Sequence, residues 1–263
     1  MTAAIVVTYH PETEIVCENI RSYLHAVDKV LVWRNSPEEF DIPPEMAEKI
    51  LLMGKGENEY MAKPLNAALD WCRQHGYDYL LTMDHDSKWE NAGHFMERAL
   101  SMAEEDVAIY APYIVGQYAR PEQDYDAESV ITSGSLVNVR IATRLGGFRE
   151  DYQIYWVDGE FCYWTRKNGY RIRVLHDCAL IQQFGRQTRT LFGFTTQLFA
   201  VHLLPFDPEH VMDETGVSRG RQSQNRIIYP DVHHSGHSPG GERKDPETPP
   251  HQQGNCPRGI CSL

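Results

Sequence analysis

Asp84 and Asp86 lie one residue apart at the end of the stretch Tyr77-Asp78-Tyr79-Leu80-Leu81-Thr82-Met83-Asp84-His85-Asp86-Ser87. The first half of that stretch is an apolar run of strand length, so the two acids fall where a buried strand gives out. If the chain stays extended, alternate side chains face the same way and both carboxylates meet one spot. Two crowded carboxylates repel unless something positive sits between them. A hard divalent cation, Mn²⁺ or Mg²⁺, carried in with phosphates fits that need, because such sites use one or two carboxylates and let substrate oxygens complete the shell. The pair therefore points to a diphosphate ligand. The plain alternative is a solvated turn after a strand.

The elements that must position the pair follow from periodicity. Ile5-Val6-Val7-Thr8-Tyr9 reads as a buried strand, Glu14 to His25 as a helix, and Val27 to Trp33 as a second strand. Strand, helix, strand in short apolar pieces is the pattern of a parallel α/β sheet, whose ligands bind at the carboxyl ends of the strands. A third strand is expected at Lys49 to Met53, and a helix at Met61 to His75 closed by Gly76. A helix around Ala92 to Glu104 and a strand at Val107 to Pro112 follow. Gln117 to Glu128 reads as a loop and Val130 to Val137 as a strand broken by small residues. Arg140 to Leu145 has helical spacing, as does the segment leading through Asp158 and Glu160 to Lys167, and Tyr170 to Leu175 reads as the last good strand. Gly54-Lys55-Gly56 lacks the Gly-Lys-Ser/Thr ending of a phosphate loop and is discounted.

Composition narrows the function classes. The 263 residues suffice for one sizeable core with appendages, and 41% hydrophobic with 24% charged content is ordinary for a globular protein. A net charge of -12 argues against nucleic acid as the main partner, since phosphate backbones need a basic face. The amino terminus shows no signal peptide, and no run approaches the roughly 20 apolar residues that span a bilayer. A cytoplasmic protein is expected, with peripheral contact at the inner membrane face as an option and six reduced cysteines. Thr190 to Phe206 reads as a helix packed on the domain in preference to a membrane-surface helix, because its polar face lacks lysine and arginine. From about Arg219 the chain turns rich in Gly, Pro, Ser, His and charge, which predicts a domain over 1–218 and a disordered tail over 219–263. His234, His237, Cys256 and Cys261 in that tail match no known zinc spacing.

With these landmarks in place the chain resembles the inverting glycosyltransferases of the GT-A fold, in the bacterial rhamnosyltransferase branch of glycosyltransferase family 2. The resemblance is carried by Val7-Thr8-Tyr9-His10-Pro11, Met61-Ala62-Lys63-Pro64-Leu65-Asn66, Gly76 through Ser87, Ile131-Thr132-Ser133-Gly134-Ser135-Leu136, Gly146-Gly147-Phe148-Arg149-Glu150-Asp151 and, most specifically, Val157-Asp158-Gly159-Glu160-Phe161-Cys162 with Lys167-Asn168-Gly169-Tyr170-Arg171-Ile172. These cover about residues 5 to 185 in order. The resemblance implies an α/β GT-A fold, a mostly parallel central sheet flanked by helices. It implies a nucleoside-diphosphate sugar donor, dTDP-rhamnose by analogy, a saccharide or lipid-linked glycan acceptor, and Mn²⁺ or Mg²⁺ held by Asp84, Asp86 and Gln182. Asp158 is the expected general base, a carboxylate beside Trp156 at a strand-to-helix junction, with a plain helix cap as its other reading. Trp156, Glu160 and Arg149 would meet the acceptor. Thr8, Tyr9, Asn35, Lys63, Asn66 and Asp84 would meet the donor. Two departures stand out: Arg34 precedes Asn35 where relatives commonly have Asp, and Gln182 stands where they commonly have His. They keep a sugar-nucleotide-binding module without turnover in view; a nucleotidyltransferase is a weaker alternative.

Overall fold

The computed structural model describes residues 1–116, 120–152 and 156–182, together with the short strands Gln187–Arg189 and Thr195–Gln197. The chain divides into Met1–Val201 and His202–Leu263. The second unit, with the predicted domain end at 218, the tail and its His and Cys residues, lies outside the described residues.

β1 (Thr2–Thr8) is buried along its whole length because it is central and covered on both faces. Alternation splits it cleanly. Ala4 and Val6 face one apolar cluster, and Ala3, Ile5 and Val7 face the other. The first cluster is closed by α1 (Thr13–Leu24), through Val16, Cys17, Ile20 and Tyr23, and by α3 (Ala92–Met102), through Phe95, Met96 and Ala99. The second is closed by α2 (Ala62–His75), α4 (Val139–Leu145) and α5 (Val157–Lys167). Gly76 ends α2 at φ +74°, a left-handed conformation that glycine adopts without steric cost. Asn91 and Asn138 cap α3 and α4 by accepting from the His94 and Ile141 amides.

The remaining strands are β2 (Lys29–Arg34), β3 (Ile50–Met53), β4 (Tyr79–Asp84), β5 (Ser87–Trp89), β6 (Val107–Ile114), β7 (Tyr125–Asp126), β8 (Ser135–Asn138) and β9 (Arg171–Gln182). Their order is β3-β2-β1-β4-β8-β6-β9-β5, with β7 also on β9. Six of the nine run one way. β5, β7 and β8 oppose them. β10 (Gln187–Arg189) and β11 (Thr195–Gln197) form a separate antiparallel pair.

Four expectations need correction. β5 was not foreseen, because three residues beside a turn carry no readable period. The expected strand from Val130 is strand only from Ser135. Gly134, at φ +80°, makes a turn so close to Pro112 and Leu180 that a Cβ would come within 2.9 Å of each. Tyr125 and Asp126, read as loop, are the short strand β7. Thr195–Gln197, read as helix, is a strand, and the rest of Thr190 to Phe206 lies outside the described residues.

β9 is also far longer than its apolar run suggested. Its pairing with β6 jumps from Pro112↔Leu175 to Tyr113↔Ala179, so His176, Asp177 and Cys178 form a bulge. Beyond the bulge, Leu180 to Gln182 pair with β5, Gln182 opposite Ser87. The bulge is clamped by charge: Asp124 accepts from the His176 amide at 3.0 Å and pairs with Arg98 at 2.7 Å, while Asp177 meets His94 at 2.9 Å.

Candidate active site

β1, β2 and β4 end together at Thr8, Arg34 and Asp84, which sets these residues along the carboxyl edge of the sheet. Asp84 is the last residue of β4, and His85 and Asp86 form the turn into β5. The two acids are therefore brought near each other by a turn, not by strand alternation. Both are half-buried, and Asp84 feels the field of Asp86. Gln182 donates from Nε2 to Asp84 Oδ2 at 2.8 Å, across 98 residues of sequence. Its Oε1 is buried and has no partner among the described residues.

Asp158 begins α5. It accepts from the Gly159 amide at 2.8 Å and from the Thr132 backbone. It also lines a cavity of about 250 Å³ with Ser133, Tyr113, Pro121, Tyr125 and Val174. Ser133 links the two halves of the site, because its Oγ accepts from the Asp84 amide at 3.2 Å. The 132–134 turn thus touches both acids. The residues Thr132 and Ser133 appeared in sequence only as part of a family match, with no role attached.

The acids hold their protons more tightly than usual. Burial, then the charges of Asp86 and Asp158, push Asp84 up to about 7, against a smaller lowering by Gln182. Burial also raises Asp86, Asp158 and Glu160, and lowers His85. That Asp84 responds to Asp158 places the two in one electrostatic neighbourhood. A raised carboxylate binds more protons in the folded than in the unfolded chain, so the cation-free fold loses stability as pH rises from about 4 to about 7 and is level above that. Asp84→Asn should then raise cation-free stability at pH 8 by about 2 kcal/mol, after discounting for the solvent that reaches the side chain. Denaturant melts of both proteins at pH 4.5 and pH 8 check this; an equal difference at the two pH values contradicts it.

The other expected residues divide into two groups. Tyr9 stays at the edge, exposed, with its amide donating to His85 Nδ1 at 3.3 Å. Thr8 is buried, and its hydroxyl donates to the Trp33 carbonyl. Trp156 is exposed beside Asp158. Glu160 is half-buried and feels Arg149, which is paired with Asp151 and lies 5.1 Å over the Tyr152 ring. By contrast, Asn35 and Asn66 spend their amides inside the protein. Asn35 donates to Asn58 Oδ1 and the Tyr60 carbonyl and accepts from the Glu59 amide at 2.7 Å, so it fastens the loop after β3. Asn66 donates to the Phe148 carbonyl at 2.8 Å and to Glu150, and accepts from the Phe148 amide at 2.8 Å. Gly147 sits at φ +76° against Asn66 Oδ1, where a Cβ would come within 2.5 Å, so no larger residue fits without breaking that clasp. Lys63 pairs with Glu59. Arg34 donates to the Gly54 carbonyl at 3.3 Å and leaves its Nε buried without a partner among the described residues.

Among the described residues, two groups of three potential metal ligands have donor atoms all within 4.8 Å: His94, Asp177 and Cys178, and Asp124, His176 and Asp177. Both belong to the β9 bulge and already share the guanidinium of Arg98. Asp84, Asp86 and Asp158 are not among these two groups.

No family model matches the sequence. A dTDP-rhamnosyl transferase of Shigella flexneri, RfbF, is 22% identical over 214 residues, which is 72% of this chain and 71% of that protein. Among solved structures, GalNAc-T7 with UDP, GalNAc and Mn²⁺ aligns at a TM-score of 0.57 and 8% identity, over 69% of this chain and 43% of that one. The mannosyltransferase PcManGT of Pyrobaculum calidifontis, in complex with GDP-Man and Mn²⁺, aligns at 0.53 and 16%, over 70% of this chain. S. aureus TarS 1-349 aligns at 0.50 and 19%, over 69% of this chain. The chain spans 57% of that mannosyltransferase and 60% of TarS, so it matches only part of each solved relative. The chain therefore has the GT-A fold of the glycosyltransferases and is related in sequence to one of them.

Proposed function

We propose that the protein is a metal-dependent inverting glycosyltransferase. It moves a sugar, rhamnose by analogy with its sequence relative, from a nucleoside-diphosphate donor to a saccharide or lipid-linked glycan acceptor in polysaccharide biosynthesis. One observation carries this reading: Asp84, Asp86 and Asp158, far apart in the chain, share one electrostatic neighbourhood at the ligand-binding edge of the sheet.

The residues fit a divalent cation, Mn²⁺ or Mg²⁺. Asp84 and Asp86 offer hard oxygen donors, and the Oε1 of Gln182, without a partner among the described residues, sits on the side chain that touches Asp84. When bound, such an ion neutralises the charge that builds on the departing diphosphate. The chain's own residues do the rest. Asp158 receives the proton of the attacking acceptor hydroxyl, a role suited to a carboxylate whose proton affinity burial has raised. Glu160, Arg149 and Trp156 orient the acceptor. Thr8, Tyr9 and Lys63 border the donor, and Asn35 and Asn66 hold the loops that frame it.

No described helix is long and apolar enough to cross a membrane. We place the protein in the cytoplasm, meeting lipid-linked acceptors at the membrane's inner face.

Release of nucleoside diphosphate from a panel of nucleotide sugars in Mn²⁺ tests the assignment. The expected result is turnover of one donor that a chelator abolishes and added Mn²⁺ restores. Tight nucleotide binding with no release under any acceptor would instead make the protein a binding module, the reading that Arg34 and Gln182 favour.

A further inference from the structure

Trp156 combines three unusual properties. Its side chain is 69% exposed, the largest value among the exposed large hydrophobic residues described. Its backbone takes φ +70°, a left-handed conformation that is strained for a bulky residue and is held only where the surrounding structure enforces it. And its indole lies against Gly159, where a Cβ would come within 3.2 Å of Cε3. Glycine at 159 thus lets the ring lie on the helix, with one face covered and the rest open to solvent beside Asp158.

The helix continues the same surface. Gly159 and Tyr163 are four residues apart on α5, hence neighbours on one face, and Tyr163 is followed at the same spacing by Lys167. Tyr163 is 49% exposed and Trp164, beside it, 37%. Lys167 Nζ lies 5.6 Å from the Tyr163 ring and 5.7 Å from the Trp164 ring, holding them side by side. From Trp156 to Tyr163 the helix rises on the order of 10 Å, about the length of two sugar rings.

We propose that this face is an acceptor track for an oligosaccharide, with the reactive unit at Asp158, the next sugar on the Trp156 ring and a further one at Tyr163. The proposal rests on the glycosyltransferase reading and sharpens it: the acceptor is a growing glycan of at least three units, recognised beyond its terminal sugar. Sugar rings present an apolar face to an aromatic plane and hydroxyl groups at the rim. Asp158 and Glu160 follow Trp156 within the next four residues, and Glu160 lies in the field of the Arg149–Asp151 pair, so polar partners for such hydroxyls stand on this stretch as Asp151, Asp158, Glu160 and Arg149. The same three acids disfavour an anionic lipid surface at this end of the helix, while Arg166 and Lys167 lie at the other end.

The test places the full chain on an array of oligosaccharides graded from monosaccharides to hexasaccharides, beside phosphatidylglycerol vesicles. Nucleoside diphosphate titration reads the donor site separately. Binding should strengthen with glycan length up to the trimer. Tyr163→Ala should remove that length preference, Tyr163→Phe should keep it, and Trp156→Ala should weaken all lengths roughly tenfold. Because both residues are exposed, the variants should melt as the parent does. A parent protein that binds nucleotide but shows no length preference, or variants that bind glycans unchanged, overturns the track. Vesicle binding that Tyr163→Ala abolishes, with no glycan preference, overturns it in favour of a membrane contact. Failure of nucleotide binding in the parent protein would instead remove the proposed function itself.

Discussion

Asp158→Asn should lower sugar transfer by about a thousandfold while leaving nucleoside diphosphate affinity within about threefold of the parent, since a positioned base contributes roughly 10²–10⁴ in rate. Asn preserves shape and can still accept from the Gly159 amide and the Thr132 backbone. What it cannot do is receive a proton. The pH dependence supplies an independent sign. Only the carboxylate form can act as base, and burial raises its proton affinity, so parent activity should climb with pH and level off above the ordinary carboxylate range. Asp158→Glu should displace that climb. Transfer by Asp158→Asn at the parent's rate would assign Asp158 to the other reading, a helix cap at the start of α5.

Asp86→Ala should cost at least about a hundredfold in transfer, and the loss should appear with the cation, because removing one hard oxygen donor weakens both ion binding and the neutralisation of a departing diphosphate. Titration with Mn²⁺ and nucleoside diphosphate together is the measurement. The parent should bind the nucleotide more tightly in Mn²⁺ than in chelator, and the variant should not distinguish the two. The fold should tolerate the change: the Asp86 carboxylate accepts from the Ser87 hydroxyl at 3.4 Å and from its own backbone, and losing a partly desolvated carboxylate of this kind costs the fold little. Activity undiminished in Asp86→Ala would take the metal role away from this turn. Gln182→Ala offers a useful contrast, since it removes the amide that donates to Asp84 Oδ2 and should push the Asp84 proton affinity further up.

How much of this was legible in the residues themselves varies with the range of the interaction that decides it. The order of strands and helices through β1, α1, β2, β3 and α2, the left-handed stop at Gly76 and the acids at 84 and 86 all follow from short-range periodicity and backbone sterics, which a few neighbouring residues determine. The helix that carries Asp158 was readable for the same reason, whereas the choice of Asp158 as base came from the family resemblance. The geometry between these pieces was not. Whether Asp84 and Asp86 meet through a strand or a turn depends on β5, a three-residue strand that exists because the tail of β9 pairs with it. That tail reaches β5 only past the bulge at 176–178, held by Arg98, Asp124 and His94 from elsewhere in the chain.

The amides tell the same story at smaller scale. Asn35 and Asn66 have the chemistry to meet a ligand, and in isolation their types are ambiguous; their partners Tyr60 and Phe148 lie 25 and 82 residues away, so only the folded chain reveals them as loop fasteners. What the residue order determined by itself was the set of local elements and the acids they carry. Which acids share a field, which polar side chains are already satisfied and which aromatic ring is left open were settled only in three dimensions, because hydrogen bonding, desolvation and burial depend on neighbours that chain connectivity does not name.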